Sequence, residues 1–128
     1  MNVLLDTHAL LWFYLDSPQL SPLAKATIEA GENEVWVSPA SYWEIAIKMG
    51  LGKLNLAVAF DEFVKEAIAD YDFEILHIIP EHASEVLRLP MAHKDPFDRM
   101  LAAQARIEKM PLVSADAVKD QYGIARIW

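Results

Sequence analysis

The chain has 128 residues, 54% of them hydrophobic, which fits one compact domain and excludes a disordered segment. It has no cysteine, which excludes a disulfide framework and a zinc–thiolate site and fits a reducing cytoplasm. The formal net charge is −8, which taken alone argues against a nucleic-acid substrate, because such binders usually carry a basic face. The objection weakens if several carboxylates gather to hold divalent cations, since the metal then meets the phosphate.

The opening Met1-Asn2-Val3-Leu4-Leu5-Asp6 has no basic segment and is not expected to be a signal peptide. The apolar run Ala9 to Leu15 is far shorter than the roughly 20 residues a membrane span needs, so no membrane association is expected. Asn2 to Leu5 reads as a buried strand ending at Asp6, and Thr7 to Leu15 as a helix. Ser21 and Pro22 start a helix to Ala30, which Gly31 ends. Glu34 to Val37 is a second strand. Ser38-Pro39 opens a helix to about Met49, closed by Gly50 and Gly52.

Phe60 to Asp70 is an amphipathic helix with Phe60, Phe63, Val64, Ala67 and Ile68 on one face. Phe73 to Ile78 is a third strand and Glu81 to Leu89 a helix behind Pro80. Asp95-Pro96 opens a helix to Lys109, Pro111 to Ser114 is a fourth strand, a short helix follows Asp116, and Ile124 to Trp128 is a last strand. Short apolar strands alternating with helices predict an α/β domain whose parallel sheet is covered on both faces. Ligands of such sheets sit outside the carboxyl ends of the strands.

Four acids fall where that rule points. Asp6 follows the first strand and Asp116 the fourth. Each also suits a helix cap, but two acids at one sheet edge repel unless a cation lies between them. Glu44 lies in the second turn of its helix, where Lys48 is placed for an i,i+4 pair, and its helix is the first after a strand. Asp98 lies in the first turn of the helix that Asp95 caps, ahead of the small-residue face Ala102/Ala105. Carboxylates and water suit Mg²⁺ or Mn²⁺, which activate water or clamp a phosphodiester. His8, His77, His82 and His93 form no zinc-hydrolase pattern, and no phosphate-binding glycine loop or nucleophile elbow is present.

The segments Leu4-Leu5-Asp6-Thr7-His8, Ser38-x-x-Ser41-x-Trp43-Glu44-Ile45, Asp95-Pro96-Phe97-Asp98-Arg99-x-Leu101-x-Ala103-Gln104-Ala105 and Leu112-Val113-Ser114-x-Asp116 resemble PIN-domain proteins of the VapC-type toxin group, across nearly the whole chain and in order. The resemblance implies a three-layer α/β/α sandwich with a mainly parallel sheet over a single domain, 1–128. It implies Mg²⁺- or Mn²⁺-dependent endonucleolytic cleavage of RNA in the cytoplasm, a cognate antitoxin protein and a homodimer. Its conserved acids fall on Asp6, Glu44, Asp98 and Asp116, with Asp120 the alternative fourth, and Asp95, Thr7 and Ser114 behind them. Lys48, Lys53, Lys94 and Arg99 are the basic residues expected near the rim, with Lys48, Lys94 and Arg99 as RNA contacts. The aromatic set Trp12, Phe13, Tyr14, Trp36, Trp43 and Trp128 is expected mostly in the core, with some members on a dimer or antitoxin surface. Two other classes compete: a non-catalytic relative that only pairs with a partner, and a Mg²⁺-binding receiver-like phosphoacceptor.

Overall fold

Val3, Leu4 and Leu5 are wholly buried, and this run forms the central strand of the sheet, β1 (Asn2–Leu5). The computed structural model describes residues 1–91 and 94–128, so His93 lies outside the described residues. Four further strands join β1: β2 (Glu34–Val37), β3 (Glu74–Ile75), β4 (Leu112–Val113) and β5 (Arg126–Ile127). The order across the sheet is β3-β2-β1-β4-β5, and every pairing is parallel. The chain builds outward from β1 to one edge, then returns to the other side, so the strand order reverses between β1 and β4. That reversal opens the crevice in which parallel sheets bind their ligands.

Alternate β1 side chains go to opposite layers. Val3 and Leu5 join a core made with α1 (Thr7–Tyr14), α2 (Pro22–Glu29), α3 (Pro39–Gly50) and α4 (Phe60–Lys65), through residues such as Leu10, Ile28, Ile45 and Phe63. Leu4 packs on the other face with Leu112, Leu101 and Ala105, the last two from α6 (Pro96–Glu108). α5 (Pro80–Val86) lies against α6. The molecule is therefore a three-layer α/β/α sandwich, as the resemblance implied. Ala102, Ala103 and Ala105 are buried, and their small side chains let α6 approach closely. Among the described residues no helix is long and apolar enough to cross a membrane.

The helix starts follow the expected chemistry. Ser21 accepts from the Ala24 amide, Ser38 from Ala40, and Asp95 from Phe97 and Asp98, each with proline at the first helical positions. Two strands are shorter than expected because their partners stop. β2 ends where Ser38 turns to cap α3, so after Leu76 N donates to Val37 O at 2.9 Å the third strand has no further ladder. β5 likewise stops at Ile127, whose carbonyl accepts from Ser114 where β4 ends. The helix expected over residues 60–70 is α only to Lys65 and continues as a π turn, Glu66–Asp70. The fifth helix ends at Val86 rather than Leu89. Asp116 opens a 3₁₀ helix, Ala117–Tyr122, which ends on Gly123 at φ 71°, a left-handed conformation that suits glycine.

Candidate functional site

Asp6 caps α1 and serves the crevice with the same carboxylate. Its Oδ1 accepts from the Thr7 amide at 2.8 Å, which turns Oδ2 toward β4. There Oδ2 accepts from Ser114 Oγ at 2.6 Å and from Lys119 Nζ at 2.7 Å. Ser114 Oγ in turn accepts from the Asp116 amide at 3.0 Å, so one hydroxyl ties the two strand ends together. Thr7 Oγ1 donates to Ser41 Oγ at 3.0 Å, which pins α1 to α3 one turn before Glu44. The capping role of Asp6 and its place at the sheet edge are one arrangement.

A cavity of about 290 Å³ opens here, and Asp6, Glu44, Asp98 and Asp116 all line it, with Asp95, Thr7, His8, Lys48 and Lys119. The four acids come from the ends of β1 and β4 and from the early turns of α3 and α6. Glu44 Oε2 is 3.0 Å from Lys48 Nζ, so the i,i+4 pair forms inside the cavity. Asp95 contributes by holding the first turn of α6, which sets the position of Asp98.

Asp116 Oδ1 caps the 3₁₀ helix by accepting from the Val118 amide at 3.0 Å. Asp120, the alternative fourth acid, is exposed and forms a two-pronged pair with Arg126, at 2.8 and 3.2 Å. That pair keeps its carboxyl below the usual range. The geometry therefore groups Asp116, and not Asp120, with the other three acids.

Lys119 was not singled out in the sequence. Its side chain is fully buried, yet its ammonium lies 2.7 Å from Asp6, 3.1 Å from Asp98 and 3.9 Å from Asp116. Burial opposes its charge, but Asp6 and Asp98 outweigh that and hold its pKa above the ordinary lysine value. Burial likewise works against an ionised Asp6, and Lys119, His8 and Ser114 reverse the balance and keep its carboxyl below the usual range. Asp98 goes the other way: burial and the neighbouring Asp6 and Asp95 raise it despite Lys119.

His8 is the second residue the sequence did not mark. Its Nε2 accepts from the Ala115 amide at 2.9 Å, so the neutral ring carries its proton on Nδ1, 3.7 Å from Asp6 Oδ2. Burial lowers its pKa, in keeping with the neutral form.

The basic residues expected at the rim divide. Lys48 lines the cavity. Arg99 turns instead toward α5, donating to Val86 O and Pro90 O, both at 2.9 Å. Its guanidinium satisfies carbonyls left open where α5 ends. Lys53 and Lys94 are exposed and are not among the described residues lining the cavity. Of the aromatic set, Trp12, Phe13, Tyr14 and Trp128 pack on the main core and Trp36 on the second. Trp43 is 64% exposed and meets the Phe97 ring edge-on at 5.4 Å. Together with Ala40, Ile78, Pro96 and Met100 these rings form an apolar groove, with Trp43 next to Glu44 and Phe97 next to Asp98 in the chain.

The donor set is all hard oxygen, which is the chemistry Mg²⁺ or Mn²⁺ prefers. Among the described residues, five carboxylates and two lysines line the cavity, so their negative charge exceeds their positive charge. The three aspartates already converge on a cation, the Lys119 ammonium. Among the described residues, no group of three or more carboxylate, imidazole or thiol side chains stands at metal-holding spacing. The residues fit a divalent ion in kind and in charge, with Lys119 as its neighbour.

The chain is 28% identical over 116 residues to the ribonuclease VapC22 of Mycobacterium tuberculosis, covering 90% of this chain and 87% of that protein. It superposes on VapBC2 from Rickettsia felis, solved bound to a DNA fragment from its promoter, with TM-score 0.74 at 15% identity over 98% of this chain and 97% of that one. It also superposes on FitAcB from Neisseria gonorrhoeae with TM-score 0.66 at 18% identity, covering 98% of this chain and 96% of that one. The PIN-domain family model matches residues 3–125, and the chain belongs to the PIN-domain family.

Proposed function

We propose that the chain is a cytoplasmic, metal-dependent endoribonuclease and the toxin of a toxin–antitoxin pair, working as a single domain. One observation carries the reading: three aspartates, from the ends of two strands and the start of a helix, converge on one buried cationic point in the crevice of a parallel sheet. The similarity to a ribonuclease supports the substrate class. A bound Mg²⁺ or Mn²⁺ would supply Lewis acidity to the phosphodiester and a more acidic water.

Asp6, Asp98 and Asp116 are the residues that would hold the ion, with Glu44 completing the set. Ser114 and the Thr7 amide fix the orientation of Asp6. Lys48 anchors the Glu44 carboxylate, whose oxygens orient the attacking water and accept its proton. The main-chain ties of His8 and Asp116 keep the β4 end rigid. In-line attack leaves a 5′-phosphate and a 3′-hydroxyl. Lys48 is the cavity lysine placed for contact with the RNA backbone.

Asp6 beside Lys119 is also what a receiver-like phosphoacceptor would present. Asp6 has no acidic neighbour in the chain, however, and the family match favours hydrolysis. The apolar groove of Trp43, Phe97 and Met100 suits an apolar segment of the antitoxin laid beside the cavity. Structural relatives solved as toxin–antitoxin complexes, including one from Klebsiella pneumoniae, support such a partner. Self-pairing into a homodimer belongs to the same reading and is measured by light scattering.

The test is cleavage of a cellular RNA pool by the purified full chain with Mg²⁺ or Mn²⁺, with EDTA, and with Asp6→Asn. Cleavage should need metal and disappear in the variant while the circular dichroism spectrum stays folded. Cleavage that persists in EDTA, or in Asp6→Asn at the native rate, would reject the mechanism.

A further inference from the structure

Lys119 stands out because burying a lysine is costly unless its charge is matched, and here it is matched by more than one acid. Its ammonium takes up Asp6 Oδ2 and Asp98 Oδ1 at hydrogen-bond distance and approaches Asp116 Oδ2. A divalent ion binding between the same two aspartates would need the same lone pairs, at about 2.0–2.1 Å for Mg²⁺. An ion held by Asp6, Asp98 and Asp116 would therefore lie beside the ammonium, on their remaining lone pairs, and not in that notch. Lys119 is also held from behind, because the 3₁₀ helix that carries it is capped by Asp116 and ended by Gly123.

We infer that the Lys119 ammonium is a resident cation of the site: it takes the position between Asp6 and Asp98, so the site binds one divalent ion beside it and not two. The inference rests on the metal-dependent reading above and deepens it by fixing the number of ions. Lys119 is on this account a positioning residue, which holds Asp6 and Asp98 apart from each other's charge and leaves the open side of the cavity to the ion.

The experiment is Mn²⁺ binding to the full chain, read as free Mn²⁺ by electron paramagnetic resonance, together with thermal melts in EDTA and in Mn²⁺. The native chain should bind one Mn²⁺. Lys119→Met should take up a second ion, or bind the first at least about tenfold more tightly, because a positive charge within a few ångströms of the ion is gone. The variant should also melt several degrees below the native chain in EDTA, since the ammonium between Asp6 and Asp98 is gone, and Mn²⁺ should recover the difference. Lys119→Arg, which keeps the charge, should stay at one ion.

Two Mn²⁺ per native chain would overturn the inference. So would a Lys119→Met chain with native stoichiometry and affinity. If Lys119→Met does not fold, the native stoichiometry still decides, two ions against and one for. Mn²⁺ bound by none of the proteins would overturn the metal reading itself and this inference with it, an outcome separate from a wrong ion count.

Discussion

Two regions of the molecule bury ionic groups, and they differ in how the charges add up. On the α5–α6 pair, Glu85 is buried between Arg88 at 3.2 Å and Arg106 at 3.3 Å, and Arg106 also donates to Tyr122 O. His82, buried beside them, faces Glu108 at 3.5 Å. Acids there are met by bases, and these residues do not line the cavity at the sheet edge. In the crevice, by contrast, three aspartates approach one ammonium beside open space. One network faces only protein and holds two helices together, whereas the other borders a cavity that can admit a further cation.

That contrast can be broken by mutation. The largest effect expected is on catalysis: Asp98→Asn should cut RNA cleavage at least about a hundredfold, with the fold intact by circular dichroism. Asp98 is the cleaner target than Asp6, which also caps α1. A rate near the native one would show that the surplus charge has no chemical use.

Alkaline pH probes the crevice side without a mutation in the site. Tyr42, on α3, is buried, and its hydroxyl has no hydrogen-bond partner among the described residues. Burial pushes its pKa up to about 12 from 10.0. The unfolded chain therefore loses this proton first, and stability falls as pH rises from 10 to 12. Lys119 acts in the same direction: its raised pKa gives stability that is full below the ordinary lysine value and is lost as pH climbs through the folded one. Tyr42→Phe should remove the phenol's share, about 2–3 kcal/mol across that window, and leave the lysine's. Urea unfolding at stepped pH measures it, and an unchanged slope would sink the assignment.

Glu85→Gln should lower stability by about 1–2 kcal/mol in urea unfolding while the cleavage rate holds, because only the helix pair loses a charge-assisted bond. A fall in rate without a fall in stability would place this network in the chemistry. The smallest effect expected is Gly123→Ala, about 1 kcal/mol. It reflects the left-handed φ of 71° alone, since a β-carbon there meets nothing within 4 Å.

Much of this arrangement was readable in the chain. The strand run before Asp6, the Ser-Pro and Asp-Pro helix starts and the acid after β4 are local signals, and each stands where local chemistry puts it. Lys119 was not readable, because a lysine in a short polar helix looks solvated. Only the approach of Asp6, 113 residues earlier, and of Asp98, 21 residues earlier, makes it a buried partner. Arg99 was no more readable: beside Asp98 in the chain, it donates to the Val86 and Pro90 carbonyls. The short edge strands depended on where their neighbours stopped, which no window of sequence contains.

The span of the Asp6–Lys119 bond also bears on synthesis. Ribosomes deliver the amino end first, so β1 and Asp6 exist long before Ser114 and Lys119 emerge. Until then Asp6 has neither its lysine nor its serine, and β1 lacks its β4 neighbour. A nascent chain cannot close the crevice. The buried contacts that orient Asp6 are thereby completed only once Ser114 and Lys119 have joined the chain.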